Sequence, residues 1–439
     1  MRLSGNGCIA VADAVFTAQD AQSLNSRPGY TLAYGHVGRP GEATVVDEAL
    51  ATVMRAPHSY TKEDVVELNV HGGPTSLRRT LNLVLESGAR IAEPGEFTRR
   101  AFLSGRVDLA QAEAVLDVIE ARTKRAGDVA VRQLTGALSQ QVEKIAAALA
   151  ELLVDLDAAV DFSDEDLDLT CREAVMTSVD RVAESVDTIL AGAAEGEVVR
   201  AGVRLAIIGR PNVGKSSLLN ALLRRDRAIV TPVPGTTRDV LEETIAIDGV
   251  AFILVDTAGI RHTDDDVESK GVARSRRSLA EADMVALVVD AAAGVTAEDV
   301  ALLGEARVLP TIVIGNKSDL LSESPDRPDL NDEEVDYISV SAKTGEEIDT
   351  LEKLFLSRAL GGRVLATDEV LVSNARHADA LRRAKAAVAR ARAALSDGLS
   401  EEFAASEIRT ALSCVGEITG RDVSADILDR IFGRFCIGK

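Results

Sequence analysis

The sequence predicts a multidomain chain: an N-terminal α+β domain, then a central helical domain into which a separate α/β domain is inserted. Three observations predict it. Residues 1–104 mix Gly, Pro and short apolar alternations. From about Val107 the apolar residues fall at helical spacing, and they do so again near Leu381. Between these helical stretches, Val203–Ile208 forms a short apolar run that leads directly into a glycine-rich loop. The implied boundaries are 1–104 for the α+β domain, 105–201 and 358–439 for the two helical parts, and 202–357 for the insertion.

In order along the chain, Asp64–Val70 alternates as a strand does, and His71, Gly72, Gly73 and Pro74 then turn it. Leu109, Ala112, Val115, Leu116 and Ile119 follow one helical face. The acidic stretch Asp161–Asp168 interrupts the helical texture, with Ser163 and Asp166 read as a helix start. Leu381, Ala384, Val388, Ala391 and Leu395 mark a later helix. The run Arg376, Arg382, Arg383, Lys385, Arg390 and Arg392 reads first as the polar face of that helix and second as a local RNA contact.

Composition sets limits on function. A chain of 439 residues has room for two to four domains, and 46% apolar residues exclude a disordered protein. Aromatics are only 3%, with no Trp, so Ala and Leu fill the cores. Lys and Arg total 49 against 70 acids, a net charge of −21. A surface that grips nucleic acid is basic, so any such contact here is a local patch or is supplied by a partner. Cys8, Cys171, Cys414 and Cys436 are widely spaced and lack a His cluster, which argues against a zinc site and for reduced thiols in a cytoplasmic protein. No apolar run approaches a membrane span, and the N-terminus lacks the order of a signal peptide.

The glycine-rich loop carries the chemistry. Gly209, Gly214, Lys215 and Ser216 satisfy GxxxxGK[ST] between a strand and a helix, Ser217–Leu223. Its backbone N–H groups, including those around Asn212, Val213 and Ser217, cradle phosphates, with the helix N-terminus behind them. Lys215 neutralises the β- and γ-phosphates and Ser216 faces Mg²⁺. Asp256, Thr257, Ala258 and Gly259 follow the apolar run Phe252–Val255, placing a carboxylate for water-mediated Mg²⁺ contact and an N–H for the γ-phosphate. Asn316, Lys317, Ser318 and Asp319 follow the run Thr311–Ile314. Asp319 accepts from the guanine N1–H and 2-amino group, donors that adenine lacks, which selects GTP over ATP. Ser341, Ala342 and Lys343 follow Tyr337–Val340 and offer backbone to guanine O6. Gly235, Thr236 and Thr237 lie between the two phosphate motifs, where a Thr ligates Mg²⁺ as the loop closes.

Hydrolysis needs a further device. The position just after Gly259, where many GTPases carry a water-orienting Gln, is Ile260. The polar segment Arg261–Lys270 offers Asp264, Asp265, Asp266 and Glu268 as carboxylates. No residue is a clear arginine finger, so Asn212 is a candidate to hold a monovalent cation beside the phosphates.

Glu93–Thr98 (EPGEFT), Arg100–Leu103 (RAFL), Asp108–Ala114 (DLAQAEA), the GRPNVGKSSLLNAL loop, Gly235–Asp239, Asp256–Arg261 and the closing Phe435–Lys439 (FCIGK) together resemble the MnmE (TrmE) family of tRNA modification GTPases over nearly the whole chain. The resemblance implies a homodimer formed through an N-terminal domain that binds a tetrahydrofolate derivative. It implies a heterotetramer with an FAD-dependent MnmG-like partner, and an aminomethyl-type modification at carbon 5 of wobble uridine 34 in tRNA. It implies K⁺-stimulated hydrolysis. The K⁺ ligands would be Asn212, Thr231, Val233 and Thr236, on a nucleotide-contacting loop that includes Pro232 and Pro234. Mg²⁺ would be held by Ser216 and Thr237, and Glu268 would act through water on the nucleophile. Arg2, Glu67, Arg106 and Lys439 fall at folate-contact positions, with Cys436 beside them as a candidate for the modification chemistry. Without the resemblance, Glu67 and Arg106 read as a surface ion pair.

The chain departs from the family pattern in three places. It starts at Met1–Gly5, where the family already has a strand behind a Gly-rich stretch; Lys62 stands where a Gly is usual; and Arg106 replaces the commoner Lys. The competing function is a ribosome-assembly GTPase switch, which has no need of a folate-type domain or the FCIGK ending.

Overall fold

The computed structural model describes residues 1–39, 41, 44–161, 169–225, 243–255, 279–321, 328, 330, 335–363, 372–435 and 438. The predicted helix start at Ser163 and Asp166 lies outside them. The chain folds as two compact units, Met1–Leu116 with Gly416–Lys439, and Asp117–Val415.

The first unit is built on an antiparallel five-stranded sheet. Its strands are β1 (Arg2–Ser4), β2 (Phe16–Ala18), β3 (Thr31–Val37), β4 (Asp47–Met54) and β5 (Val65–Val70), in the order β1-β5-β4-β3-β2. Alternation chooses the faces: Ala49, Ala51 and Val53 of β4 point inward, as do Val66 and Leu68 of β5. They form a core with Ile9 and Ala12 of α1 (Cys8–Asp13) and Val84 of α2 (Pro74–Glu86). Pro74 at the first position of α2 suits a helix start. On the other face of the sheet, Leu32, Tyr34 and Leu50 are exposed, with Tyr34 paired to Leu50 across β3 and β4.

The helix α3 (Glu96–Leu103) enters from Gly95, which holds φ +66°. A Cβ there would lie 2.6 Å from the carbonyl oxygen of Phe432, so only glycine permits the approach. Phe432 belongs to the last helix, α14 (Ala425–Phe432). Phe432 and Phe435 close a small core with Leu109 and Ala112 of α4 (Leu109–Glu120) and with Phe102. The far C-terminal segment therefore completes the N-terminal unit.

The second unit carries a six-stranded sheet of β6 (Val203–Ile208), β7 (Glu243–Ile247), β8 (Val250–Val255), β9 (Met284–Asp290), β10 (Thr311–Asn316) and β11 (Asp336–Ser339). Its order is β11-β10-β9-β6-β8-β7, parallel except for the β7–β8 hairpin. The central strands are buried on both faces, which explains their unbroken Val, Ile, Leu and Ala runs. Val288 and Ile314 pack on one side of the sheet, and Val285, Leu287 and Val313 on the other. The helices α5 (Lys124–Leu134), α6 (Ala137–Asp161), α7 (Leu169–Leu190) and α8 (Ala193–Ala201) precede β6. Further helices are α9 (Lys215–Arg225), α10 (Ala297–Ala306), α11 (Ile348–Ala359), α12 (Ala375–Ser396) and α13 (Glu401–Thr419).

The α12 face predicted from spacing is buried at Leu381, Ala384, Val388, Ala391 and Leu395. Its basic residues are matched by acids: Arg383 by Asp379, Lys385 by Asp187, Arg390 by Glu407 and Arg392 by Asp180. The run is the polar face of a packed helix, its charge largely balanced by neighbours. Among the described residues, no helix is long and apolar enough to cross a membrane.

Candidate functional site

The loops at the C-terminal ends of β6, β9, β10 and β11 converge, as ligand loops do in open α/β sheets. The loop after β6 needs unusual backbone: Gly209 has φ +145°, Asn212 +64° and Gly214 +96°. A Cβ on Gly209 would meet Val288 O at 2.2 Å, and one on Gly214 would meet Asn316 Nδ2 at 2.1 Å. Both glycines are thus required by close packing as well as by conformation. Asn212 is exposed on the loop surface, in the left-handed region that Asn tolerates better than most residues.

Asn316, 2% exposed, ties three loops together. Its Nδ2 donates to Val213 O at 2.9 Å, and its Oδ1 accepts from Ala342 N at 3.1 Å. Lys317 holds φ +71°, and its Nζ donates to Asp290 Oδ2 at 2.6 Å. Burial alone would raise the Asp290 pKa, but Lys317 and the N–H groups of Ala293 and Ala292 hold it below the usual value. Ser341 donates to Asp319 Oδ1 at 2.8 Å, and Ser318 N donates to Val340 O at 3.1 Å. Lys343 reaches to 3.8 Å from Asp319 Oδ2. A single carboxylate is thereby presented beside a fixed backbone loop.

Lys215 opens α9, and its Nζ donates to Gly209 O and Arg210 O, each at 2.7 Å. Burial pushes its pKa down. Sequence reasoning passed over Arg210, whose Nε donates to Asp299 Oδ1 at 2.9 Å. Asp299 also closes the capping box of α10 with Thr296. The Thr296–Asp299 spacing at a helix start encodes the cap, but not the distant partner Arg210.

The predicted residues Thr231, Pro232, Val233, Pro234, Gly235, Thr236, Thr237, Asp256, Thr257, Ala258, Gly259 and Glu268 lie outside the described residues, as do Cys436 and Lys439. The structure brings Asn212, Val213, Gly214, Lys215, Ser216 and Ser217 together on one loop and helix start. It brings Asn316, Lys317, Ser318 and Asp319 against Ser341, Ala342 and Lys343.

A cavity of 440 Å³ lies in the first unit. Arg2, Glu67 and Arg106 all line it. The ion pair, however, is Arg2 with Glu67 at 2.7 Å, their residues being directly paired between β1 and β5. Arg106 instead stacks over the Tyr60 ring at 4.7 Å, and Arg2 lies 5.4 Å from the same ring. The alternative reading of Glu67 and Arg106 as a surface pair is thus replaced by two guanidinium groups beside one aromatic ring. Tyr60, unflagged by the sequence reading, is fixed by a 3.0 Å hydrogen bond between its hydroxyl and Thr98. Lys62 occupies φ +60°, a conformation that glycine adopts without strain, and its Nζ donates to Ser104 O and Gly105 O.

A strand–loop–helix phosphate cradle with a carboxylate base loop and an Asn locking the two together defines a P-loop GTPase. Residues 1–106 match the family model described as GTP-binding protein TrmE N-terminus, and residues 109–436 that described as MnmE helical domain. The tRNA modification GTPase MnmE of Symbiobacterium thermophilum is 47% identical over 447 residues, covering 100% of this chain and 96% of that one. Those of Moorella thermoacetica and Geotalea uraniireducens are 45% and 43% identical, covering 100% of this chain and 96% and 95% of theirs. The chain belongs to the MnmE family of tRNA modification GTPases.

Proposed function

We propose that GTP hydrolysis here drives modification of carbon 5 of the wobble uridine in tRNA. A tetrahydrofolate derivative supplies the one-carbon unit, and an FAD-dependent MnmG-like protein is the partner. The observation that carries this reading is that one chain holds two distinct sites in separate compact units: the hydrogen-bonded guanine-type loop cluster, and the cavity of Arg2, Tyr60, Glu67 and Arg106. A nucleotide switch alone has no use for the second.

In this reading Asp319 accepts from guanine N1–H and the 2-amino group, held in place by the Ser341 hydroxyl. Lys215 turns from the loop carbonyls to the β- and γ-phosphates, and Ser216 and Thr237 hold Mg²⁺, which neutralises phosphate charge when bound. Asp256, Thr257, Ala258 and Gly259 flank the γ-phosphate, and Glu268 orients the water. Asn212 offers its side-chain oxygen to K⁺, with the carbonyls of Thr231, Val233 and Thr236 as co-ligands. In the other unit Arg2, Glu67, Arg106 and Lys439 hold the folate, and Cys436 sits beside it. The exposed apolar face of Leu32, Tyr34 and Leu50 supports pairing with a second copy of the chain.

The test is nucleoside analysis of tRNA from cells lacking this chain. Loss of the modified wobble uridine is expected. Normal tRNA together with defective ribosome assembly would overturn the proposal in favour of a ribosomal switch.

A further inference from the structure

We propose that the N-terminal unit contains a tail subsite for the poly-γ-glutamyl chain of the one-carbon carrier, lined by Arg78, Arg90 and Arg100. The proposal rests on the folate reading of the smaller cavity and names what its ligand carries beyond the ring system.

A cavity of 960 Å³ adjoins the 440 Å³ one, and the two share Arg2 and Glu67 in their walls. Its charge runs against that of the chain. The whole sequence carries −21, yet this cavity is lined by four arginines and two glutamates, with no Asp or Lys. Such a local excess of positive charge in an acidic protein is the electrostatic footprint of an anionic ligand.

The pairing within the cavity leaves donors in reserve. Arg90 and Arg100 share one carboxylate, Glu96, at 2.5 and 2.6 Å, and Arg100 is held by a second, Glu63, at 2.9 Å, so the reserve lies with Arg90 and Arg78. Arg90 uses only Nη1 and Nη2, on Glu96 and Ile91 O, out of the five N–H donors of a guanidinium. Arg78, exposed on α2, makes no ion pair among the described residues. Arg90, with help from the Glu93 N–H and Arg100, holds the Glu96 carboxyl at about 2 against its burial, so Glu96 stays ionised and keeps both arginines in place.

The remaining walls are apolar where the ligand would be apolar. Leu77, Leu81 and Phe97 line the same cavity. A tetrahydrofolate is a bicyclic ring, then a flat aminobenzoyl ring, then glutamates that each add one carboxylate. Its rings fit the Tyr60 cavity and the Phe97 wall, and its carboxylates fall to the arginines, which recognise carboxylates bidentately.

The experiment is equilibrium binding of 5-formyltetrahydrofolate to the full chain, as the monoglutamate and as the pentaglutamate, at low and high NaCl. The pentaglutamate should bind about tenfold tighter at low salt, and the gap should narrow as salt screens it. Arg78→Gln and Arg90→Gln should each shrink the gap, with thermal unfolding checking that each variant folds. Arg78→Gln carries the decision, since breaking no ion pair it leaves the fold intact. Equal affinities for the two ligands overturn the tail subsite while leaving the folate reading standing. Failure of both ligands to bind overturns that reading as well. If Arg78→Gln weakens tRNA binding but not the pentaglutamate, the charge serves RNA and the proposal falls.

Discussion

The guanine-type site is assembled mostly from backbone, with one buried amide, Asn316, cross-linking its loops. The N-terminal cavity is walled by long charged side chains around the ring of Tyr60. The first tolerates no added atom at Gly209 or Gly214, whereas the second holds its arginines by ion pairs and ring contacts that can rearrange. The difference teaches where each site's specificity is stored. In one it is stored in conformation, which a single methyl can destroy. In the other it is stored in charge and stacking, which substitutions grade.

The largest effect should come from Gly214→Ala. Its Cβ would meet Asn316 Nδ2 at 2.1 Å, so the Asn316–Val213 bond must break. GTP affinity should fall by ~10³-fold or more, from backbone strain plus buried hydrogen bonds lost. Binding within a few-fold of the natural chain would show that conformation is not what this site stores.

Next is the cation. With Ile260 in the water-orienting position and no evident finger, K⁺ should accelerate turnover over Na⁺ by ~10²-fold, the scale of one preorganised electrostatic contact. Asn212→Ala should lose that response yet still bind GTP. Equal turnover in matched KCl and NaCl would discard the cation and turn attention to Arg261 or a partner's residue.

Asp319→Asn should weaken GTP by ~10²-fold, the scale of a lost charged pair, and shift preference toward xanthine nucleotide. An unchanged base preference in competition binding would remove Asp319 from base recognition.

On the other side of the comparison, Tyr60→Leu keeps apolar bulk but removes the ring face and the hydroxyl on Thr98. Affinity for 5-formyltetrahydrofolate should drop by ~5-fold, in line with exposed cation–π contacts. A parallel fall in GTP affinity would mean the two sites are not separately built.

The smallest effect concerns Lys62 at φ +60°. Lys62→Gly should be more stable than Lys62→Ala by ~1 kcal/mol in urea unfolding, because both lose the Nζ bonds but only glycine sheds the left-handed penalty. Equal stabilities would mean that the backbone there relaxes at no cost.

Legibility in the sequence follows the same divide. A backbone-built site must come from contiguous loops, so the phosphate loop and Asn316–Asp319 declare themselves by spacing after apolar strands. Asn316 as the cross-link, and Arg210 on Asp299, are long-range pairings that no local spacing encodes. The N-terminal cavity draws Arg2, Tyr60, Glu67 and Arg106 from separate stretches, so only resemblance singled out three of them and nothing marked Tyr60. Periodicity found the core face of α12, yet it could not tell that the arginines on the opposite face are matched by acids of α7 and α13.

Gly95, packed against the carbonyl of Phe432, also sets a timetable for biosynthesis. Phe102 and Leu109 leave the ribosome early, but the Phe432 and Phe435 that cover them arrive only after the whole second unit has been translated. At ~5–20 residues per second, synthesis of those ~300 intervening residues leaves this small core unsealed for ~15–60 s. During that interval a nascent chain shows an uncovered aromatic surface to chaperones and proteases. A chain released before Gly416 therefore has a complete second unit while its first cannot close.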